Sequence, residues 1–133
     1  VLNGDSLVLT DLAPLLNVFQ DQSIDAVILG IRVADALRYG TLKFGNDGLL
    51  VGFEEKKPGA GLINAGVYLF RREILDSLPR GKVLSFEEDV FPKLLLENIR
   101  IKIVEVEAPF IDIGTEETLT KADAFIHKNS SLL

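Results

Sequence analysis

The run Asp25-Ala26-Val27-Ile28-Leu29-Gly30-Ile31 stays apolar after its first residue, without the alternation of a strand that is wet on one side. A strand of this kind is buried on both faces, as strands of parallel sheets are. Toward the N-terminus, Leu12, Leu15, Leu16 and Phe19 recur at helical spacing. Thr10 is placed to cap that helix, and Pro14 falls in its first turn, where a missing N–H is harmless. Val1-Leu2 reads as the end of a strand running into the turn Asn3-Gly4-Asp5. Toward the C-terminus, residues 40–44 and 49–53 flank the turn-rich Gly45-Asn46-Asp47-Gly48, which predicts a β-hairpin. Residues 62–70 form a second apolar strand, and a short helix from Arg71 to Leu78 is closed by Pro79 and Gly81. Ser85 and Glu88 have the spacing of a capping box ahead of Val90, Phe91, Leu94 and Leu95, with Pro92 expected to kink or split the helix. Residues 99–103 alternate in one phase and 104–107 in the other, which predicts a bulge or a change of covered face. A last helix follows Thr115 with Leu119, Ala122 and Ile126 inward, and the closing Ser130-Ser131-Leu132-Leu133 is expected to fray. Strands and helices alternate, so the fold class is α/β.

With 133 residues, no repeat and no linker-like stretch, residues 1–133 are expected to form a single domain. Lys and Arg number 14 against 20 Asp and Glu, a net charge of −6, which speaks against nucleic acid and membrane as partners. No apolar run is long enough to span a bilayer and no secretion signal is evident, so a cytoplasmic protein is expected. The absence of cysteine excludes a disulfide frame, a thiolate zinc site and a Cys nucleophile. Gly-x-Ser-x-Gly, zinc-ligand spacings and Gly-x-Gly-x-x-Gly are also missing, which leaves hydrolase triads, zinc chemistry and dinucleotide binding without support. With no Met anywhere, Val1 is not expected to be the first translated residue.

Asp5 lies just beyond a strand end and Asp112 at a strand-to-helix junction, the places where open α/β sheets hold ligands. The same residues also read as a turn and a loop residue near a helix start. Glu55-Lys56-Lys57-Pro58-Gly59 sets cations between a hairpin strand and a Pro-Gly turn, although most surface lysines are merely solvated and the stretch by itself reads more readily as solvated surface. Asn64-Ala65-Gly66 puts a polar residue beside glycine inside an apolar strand, which signals close approach of a ligand or another backbone, or a bulge. Tyr39-Gly40 offers a ring and an exposed amide, or is only a strand entry. Glu88 has a capping role, and His127, the single histidine, sits on a polar face.

In chain order, Leu2-Asn3-Gly4-Asp5, Arg38-Tyr39-Gly40, Phe53-Glu54-Glu55-Lys56, Leu62-Ile63-Asn64-Ala65-Gly66-Val67-Tyr68, Ser85-Phe86-Glu87-Glu88-Asp89-Val90-Phe91-Pro92 and Phe110-Ile111-Asp112-Ile113-Gly114-Thr115 resemble the sugar-1-phosphate nucleotidyltransferase family. The flavour is closest to guanylyltransferases of heptose or mannose 1-phosphate. The resemblance implies a Rossmann-like, three-layer α/β fold with a mixed sheet and a β-hairpin. It implies transfer of a nucleotidyl group from an NTP to a sugar 1-phosphate, giving an NDP-sugar and pyrophosphate. By the same resemblance Asp5 and Asp112 hold Mg²⁺, Lys56 meets the sugar phosphate, and Glu55 accepts from sugar hydroxyls, with Asp5, Lys56 and Asp112 as the catalytic set. Tyr39, Gly40, Asn64 and Gly66 line the sugar pocket. The family's Gly-Gly-x-Gly-Thr-Arg loop, which cradles triphosphate, is not in this sequence. The chain is therefore expected to be N-terminally truncated, the C-terminal portion of a nucleotidyltransferase domain. It is expected to take NTP weakly or not at all, and to bury an uncovered sheet edge in a homodimer or higher assembly. A transferase completed by the missing segment is one expectation; a non-catalytic sugar-phosphate-binding or assembly module is the other.

Overall fold

The computed structural model describes residues 1–54 and 58–132. Along them run β1 (Ser6–Val8), α1 (Ala13–Phe19), β2 (Ala26–Val33), β3 (Thr41–Phe44), β4 (Leu50–Glu54), β5 (Gly61–Phe70) and α2 (Arg72–Ser77). A π-helical turn (Phe86–Val90) leads into α3 (Phe91–Leu96), then β6 (Ile101–Val106), β7 (Phe110–Asp112), α4 (Glu116–Leu119), α5 (Ala122–Lys128) and a closing 3₁₀ turn (Ser130–Leu132). The apolar run is β2, next to the edge of a mixed sheet of order β4-β3-β5-β2-β6. Its neighbour β6 is parallel and its neighbour β5 antiparallel. It is apolar throughout because both faces are covered: Ala26 and Ile28 enter one core, Val27, Leu29 and Ile31 the other. On the first face lie α2, the π turn and α3 through Ile74, Val90, Phe91 and Leu94. On the second lie α1 through Leu15 and a separate β1–β7 ribbon through Val8 and Phe110. The result is three layers, with β3 and β4 as the expected hairpin.

The phase change in residues 99–107 is a change of covered face. β6 runs in unbroken register along β2, with Ile101 and Ile103 in one core and Val104 and Val106 against the other. The bulge lies in β5 instead: Ile28 pairs with Tyr68 and Gly30 with Asn64, so Ala65-Gly66-Val67 stands opposite Leu29 alone. Residues 1–3 pair with this bulged stretch. Asn3 N–H donates to the Gly66 carbonyl at 2.8 Å, Tyr68 N–H donates to that of Val1 at 3.0 Å, and Leu2 faces Val67.

Helix starts depart from the sequence reading in three places. Thr10 does not cap α1; Asp11 Oδ1 accepts from Ala13 N–H at 2.8 Å, since a carboxylate reaches the amide two residues on in an Asx turn. Leu15 is fully buried there, while Leu12 and Leu16 are exposed. Ser85 Oγ does accept from Glu88 N–H (3.2 Å), yet the reciprocal bond runs from Ser85 N–H to Asp89 Oδ2 (2.8 Å), not to Glu88. The cause is the π turn, closed by Val90 N–H on the Ser85 carbonyl at 3.0 Å: its wider winding brings the next residue back over the cap. Pro92 splits the helix as expected, sitting in the first turn of α3. The last helix is two short ones, and Thr118 is buried while Leu119 is 56% exposed. Thr118 and Thr115 exchange hydrogen bonds in a capping box, which turns residue 118 inward and its neighbour out. Ser130–Leu132 forms a 3₁₀ turn, and Leu133 lies outside the described residues. Among the described residues no helix is long and apolar enough to cross a membrane.

Candidate functional site

The β1–β7 ribbon brings the two acidic residues together. Ser6 pairs with Asp112 across it, and Ile113 N–H donates to the Asp5 carbonyl at 2.8 Å. A Cβ added at Gly114 would stand 3.2 Å from Asp112 Oδ1 and 3.7 Å from Asp5 Oδ2, so both carboxylates converge over this glycine. Gly114 N–H also donates to Asp112 Oδ1 at 2.9 Å and fixes its rotamer. Both acids open onto a cleft of about 610 Å³, a size suited to a small ligand.

Tyr39, Gly40 and Asn64 line the same cleft, so five of the residues expected from sequence meet there: Asp5, Tyr39, Gly40, Asn64 and Asp112. Gly66 does not line it. It has φ +76°, and its Cβ position is filled by Asn3 and Ser6, so this glycine serves the close approach of another backbone stretch. Glu55 and Lys56 lie outside the described residues.

Sequence reasoning missed Arg38, Tyr68 and Glu87, which also line the cleft. Arg38 reaches Asp112 Oδ1 at 3.8 Å and lies 5.8 Å from the centre of the Tyr39 ring. Among the described lining residues it is the cation that shares the cleft with Asp5, Asp112 and Glu87. Burial first, and then the Asp112 charge, hold the Tyr39 phenol above its ordinary range, with Arg38 acting in the opposite sense. Tyr68 rests in an aromatic core with Phe70, Phe86 and Phe91, its ring 4.7 Å from Phe86 and 5.4 Å from Phe91. Such pairs add about 0.5–1.5 kcal/mol each beyond the area that they bury. Its hydroxyl accepts from Asn64 Nδ2 at 2.8 Å, and burial pushes its pKa up to about 12. A buried Tyr must find a partner, and that was the available signal for Tyr68. Glu87 was hidden because its neighbour Glu88 held the capping spacing; the π turn instead gives the capping role to Asp89 and turns Glu87 to the cleft.

Two convergent carboxylates suit a hard cation. The described residues hold no cluster of three or more metal-ligating side chains, so a cation held here would take the rest of its shell from water or a ligand's oxygens. Mg²⁺ is bound in this manner, structural zinc is not.

The nucleotidyl transferase family model matches residues 1–129. Mannose-1-phosphate guanylyltransferase of Mycobacterium tuberculosis is 35% identical over 127 residues, covering 93% of this chain and 35% of the relative. Glucose-1-phosphate adenylyltransferase of Bacillus licheniformis is 33% identical over 133 residues, 92% of this chain and 35% of the relative. Among solved structures, HddC from Yersinia pseudotuberculosis is 34% identical with a TM-score of 0.76, covering 92% of this chain and 52% of that one. HddC complexed with GMP-PN superposes equally, with a TM-score of 0.75. The chain thus spans 35% of the length of these curated relatives and about half of HddC.

Proposed function

The chain belongs to the nucleotidyl transferase family, and from that membership we propose that it supplies the acceptor side and the metal ligands of a sugar-1-phosphate nucleotidyltransferase reaction. One observation carries the reading: Asp5, Asp112, Tyr39, Gly40 and Asn64, distant in sequence, line one cleft. In that reaction an oxygen of the sugar 1-phosphate attacks the α-phosphorus of an NTP and pyrophosphate leaves. Both partners are anionic, so catalysis is mostly charge compensation and in-line positioning. Asp5 and Asp112 would hold Mg²⁺, which when bound offsets phosphate charge. Arg38, at the same end of the cleft, adds a fixed cation toward a phosphate. The sugar would lie toward Gly40, Tyr68 and Glu87. For Lys56 and Glu55 we keep the roles that the family resemblance implies, contact with the sugar phosphate and with sugar hydroxyls.

A guanylyl donor is supported by the mannose-1-phosphate guanylyltransferase and by HddC complexed with GMP-PN, and a mannose acceptor by the name of the first, whereas the adenylyltransferase differs in base and sugar; a heptose acceptor rests on the family resemblance alone. Residues 1–133 form, in this reading, one domain unit. The gathering of the sugar-side residues in one cleft also suits a second reading: a non-catalytic sugar-phosphate-binding or assembly module. The exposed apolar side chains of Leu2, Leu12 and Leu16 support self-association into a homodimer or higher assembly. A monodisperse monomer in sedimentation would count against it. The deciding experiment is calorimetric titration with Mg²⁺ present, using mannose 1-phosphate, a heptose 1-phosphate and GTP in separate runs. Heat with a sugar 1-phosphate supports the acceptor-side reading, and no heat with any of them overturns it.

A further inference from the structure

Asn64 has both of its amide hydrogens committed. Nδ2 donates to Tyr68 Oη at 2.8 Å and to Glu87 Oε1 at 3.1 Å, while Oδ1 accepts from Gly66 N–H at 3.0 Å. An amide tied in this way holds Glu87 in place. The second Glu87 oxygen, Oε2, has no hydrogen-bond partner among the described residues and stands 3.8 Å from the place where a Cβ on Gly40 would be. Because residue 40 is glycine, the space beside Oε2 is left to a ligand. Next to it, Tyr68 Oη accepts from Asn64 and keeps its own hydrogen for donation. The wall of the cleft therefore presents a charged acceptor and a neutral donor side by side, the complement of a hydroxyl group.

We infer that Glu87 Oε2 is the acceptor that reads a hydroxyl of the sugar, a specificity-determining contact, and that Asn64 is a positioning residue that aims it. The inference rests on the sugar 1-phosphate reading above. A carboxylate acceptor makes the discrimination steep. A sugar that presents the hydroxyl gains a charge-assisted hydrogen bond, whereas one that lacks it strands a charge in a partly dehydrated site. The phenol beside it stays protonated at neutral pH, since burial raises its pKa to about 12.

The test is calorimetry on the folded chain with Mg²⁺, comparing wild type, Glu87→Gln and Asn64→Ala. The ligands are mannose 1-phosphate, its monodeoxy analogues and inorganic phosphate. Glu87→Gln is expected to bind mannose 1-phosphate about tenfold more weakly, the scale of a hydrogen bond to a charged group, with inorganic phosphate affinity unchanged. Against the analogue that lacks the read hydroxyl the wild-type advantage disappears, and Asn64→Ala follows the same analogue-specific pattern, which a merely structural defect would not. Equal binding of all analogues by wild type and Glu87→Gln overturns the assignment of Glu87 alone. Should Glu87→Gln fail to fold, the wild type decides: no monodeoxy analogue weakened by about tenfold overturns the inference. Wild type that binds neither mannose 1-phosphate nor a heptose 1-phosphate removes the parent reading, and this one with it.

Discussion

Gly66→Ala tests the joint on which the placement of Asp5 depends. Gly66 has φ +76°, and an added Cβ would overlap Ser6 Oγ and lie 2.9 Å from Asn3 Cβ and 3.0 Å from Asn3 Nδ2. A left-handed conformation costs an L-residue about 1–2 kcal/mol. Forcing a methyl into an occupied position adds about 1–3 kcal/mol. The stiffer unfolded chain of alanine returns about 0.4–1 kcal/mol. The expected loss is about 1–5 kcal/mol, a large part of the usual 5–15 kcal/mol of a domain. Gly81→Ala is the matched control: its φ is +72°, with nothing within 4 Å of the added Cβ, so it carries the backbone cost alone. Urea unfolding followed by far-UV circular dichroism reads both variants as midpoint shifts at constant slope. Gly66→Ala should lose about 1–3 kcal/mol more than Gly81→Ala. Equal losses would refute the packing of Asn3 and Ser6 against the bulge. Because the Gly66 carbonyl holds Asn3 N–H two residues before Asp5, the variant should also weaken divalent-cation binding.

Phe91→Ala removes a ring with no exposed surface that contacts Phe53, Tyr68, Phe70 and Phe86; it should cost about 3–5 kcal/mol in the same unfolding assay, and a loss below about 1 kcal/mol would contradict the core assignment. The two tyrosines predict an alkaline signature, since both phenols are raised above their ordinary value, Tyr68 to about 12. Between about pH 10, where an unfolded Tyr ionises, and about 12 the folded state binds more protons, so stability falls as pH rises through that window. Absorbance titration at the tyrosinate band should find Tyr68 ionising last, and a tyrosinate step at the ordinary value for both would contradict the burial. Asp112→Asn keeps the shape that accepts Gly114 N–H but removes the charge; Mn²⁺ affinity read by electron paramagnetic resonance should fall by about tenfold or more, with stability changed by less than about 1 kcal/mol. Undiminished Mn²⁺ binding would sink the assignment of Asp112 as a ligand.

The sequence was most informative where a local pattern had one physical solution. An apolar run with no alternation must be covered on both faces, and β2 is; a Gly-Asn-Asp-Gly link between alternating segments must turn, and β3–β4 is a hairpin. Asn64-Ala65-Gly66 announced an irregularity whose nature stayed open, since bulge, ligand and neighbouring backbone leave the same mark. Here the bulge and the neighbouring backbone coincide, and Asn3 and Ser6 occupy the space. Capping was legible as a need but not as an identity. Asp11 replaces Thr10, and Asp89 replaces Glu88, because winding and reach decide which oxygen arrives first.

By itself the sequence determined the α/β class, the hairpin, the family and, among the acidic and aromatic residues of the cleft, Asp5, Asp112 and Tyr39, since these follow from local periodicity and from ordered short motifs. Tertiary structure alone decided which of them meet. Asp5 and Asp112 converge through a two-strand ribbon whose register no local pattern encodes. Glu87 faces the cleft because a π turn rotates it there, and Asn64 becomes its support because the bulge occupies its carbonyl oxygen. Hydrogen-bond partners distant in the chain are chosen by the packing that brings them within about 3 Å, and that packing is a property of the whole fold.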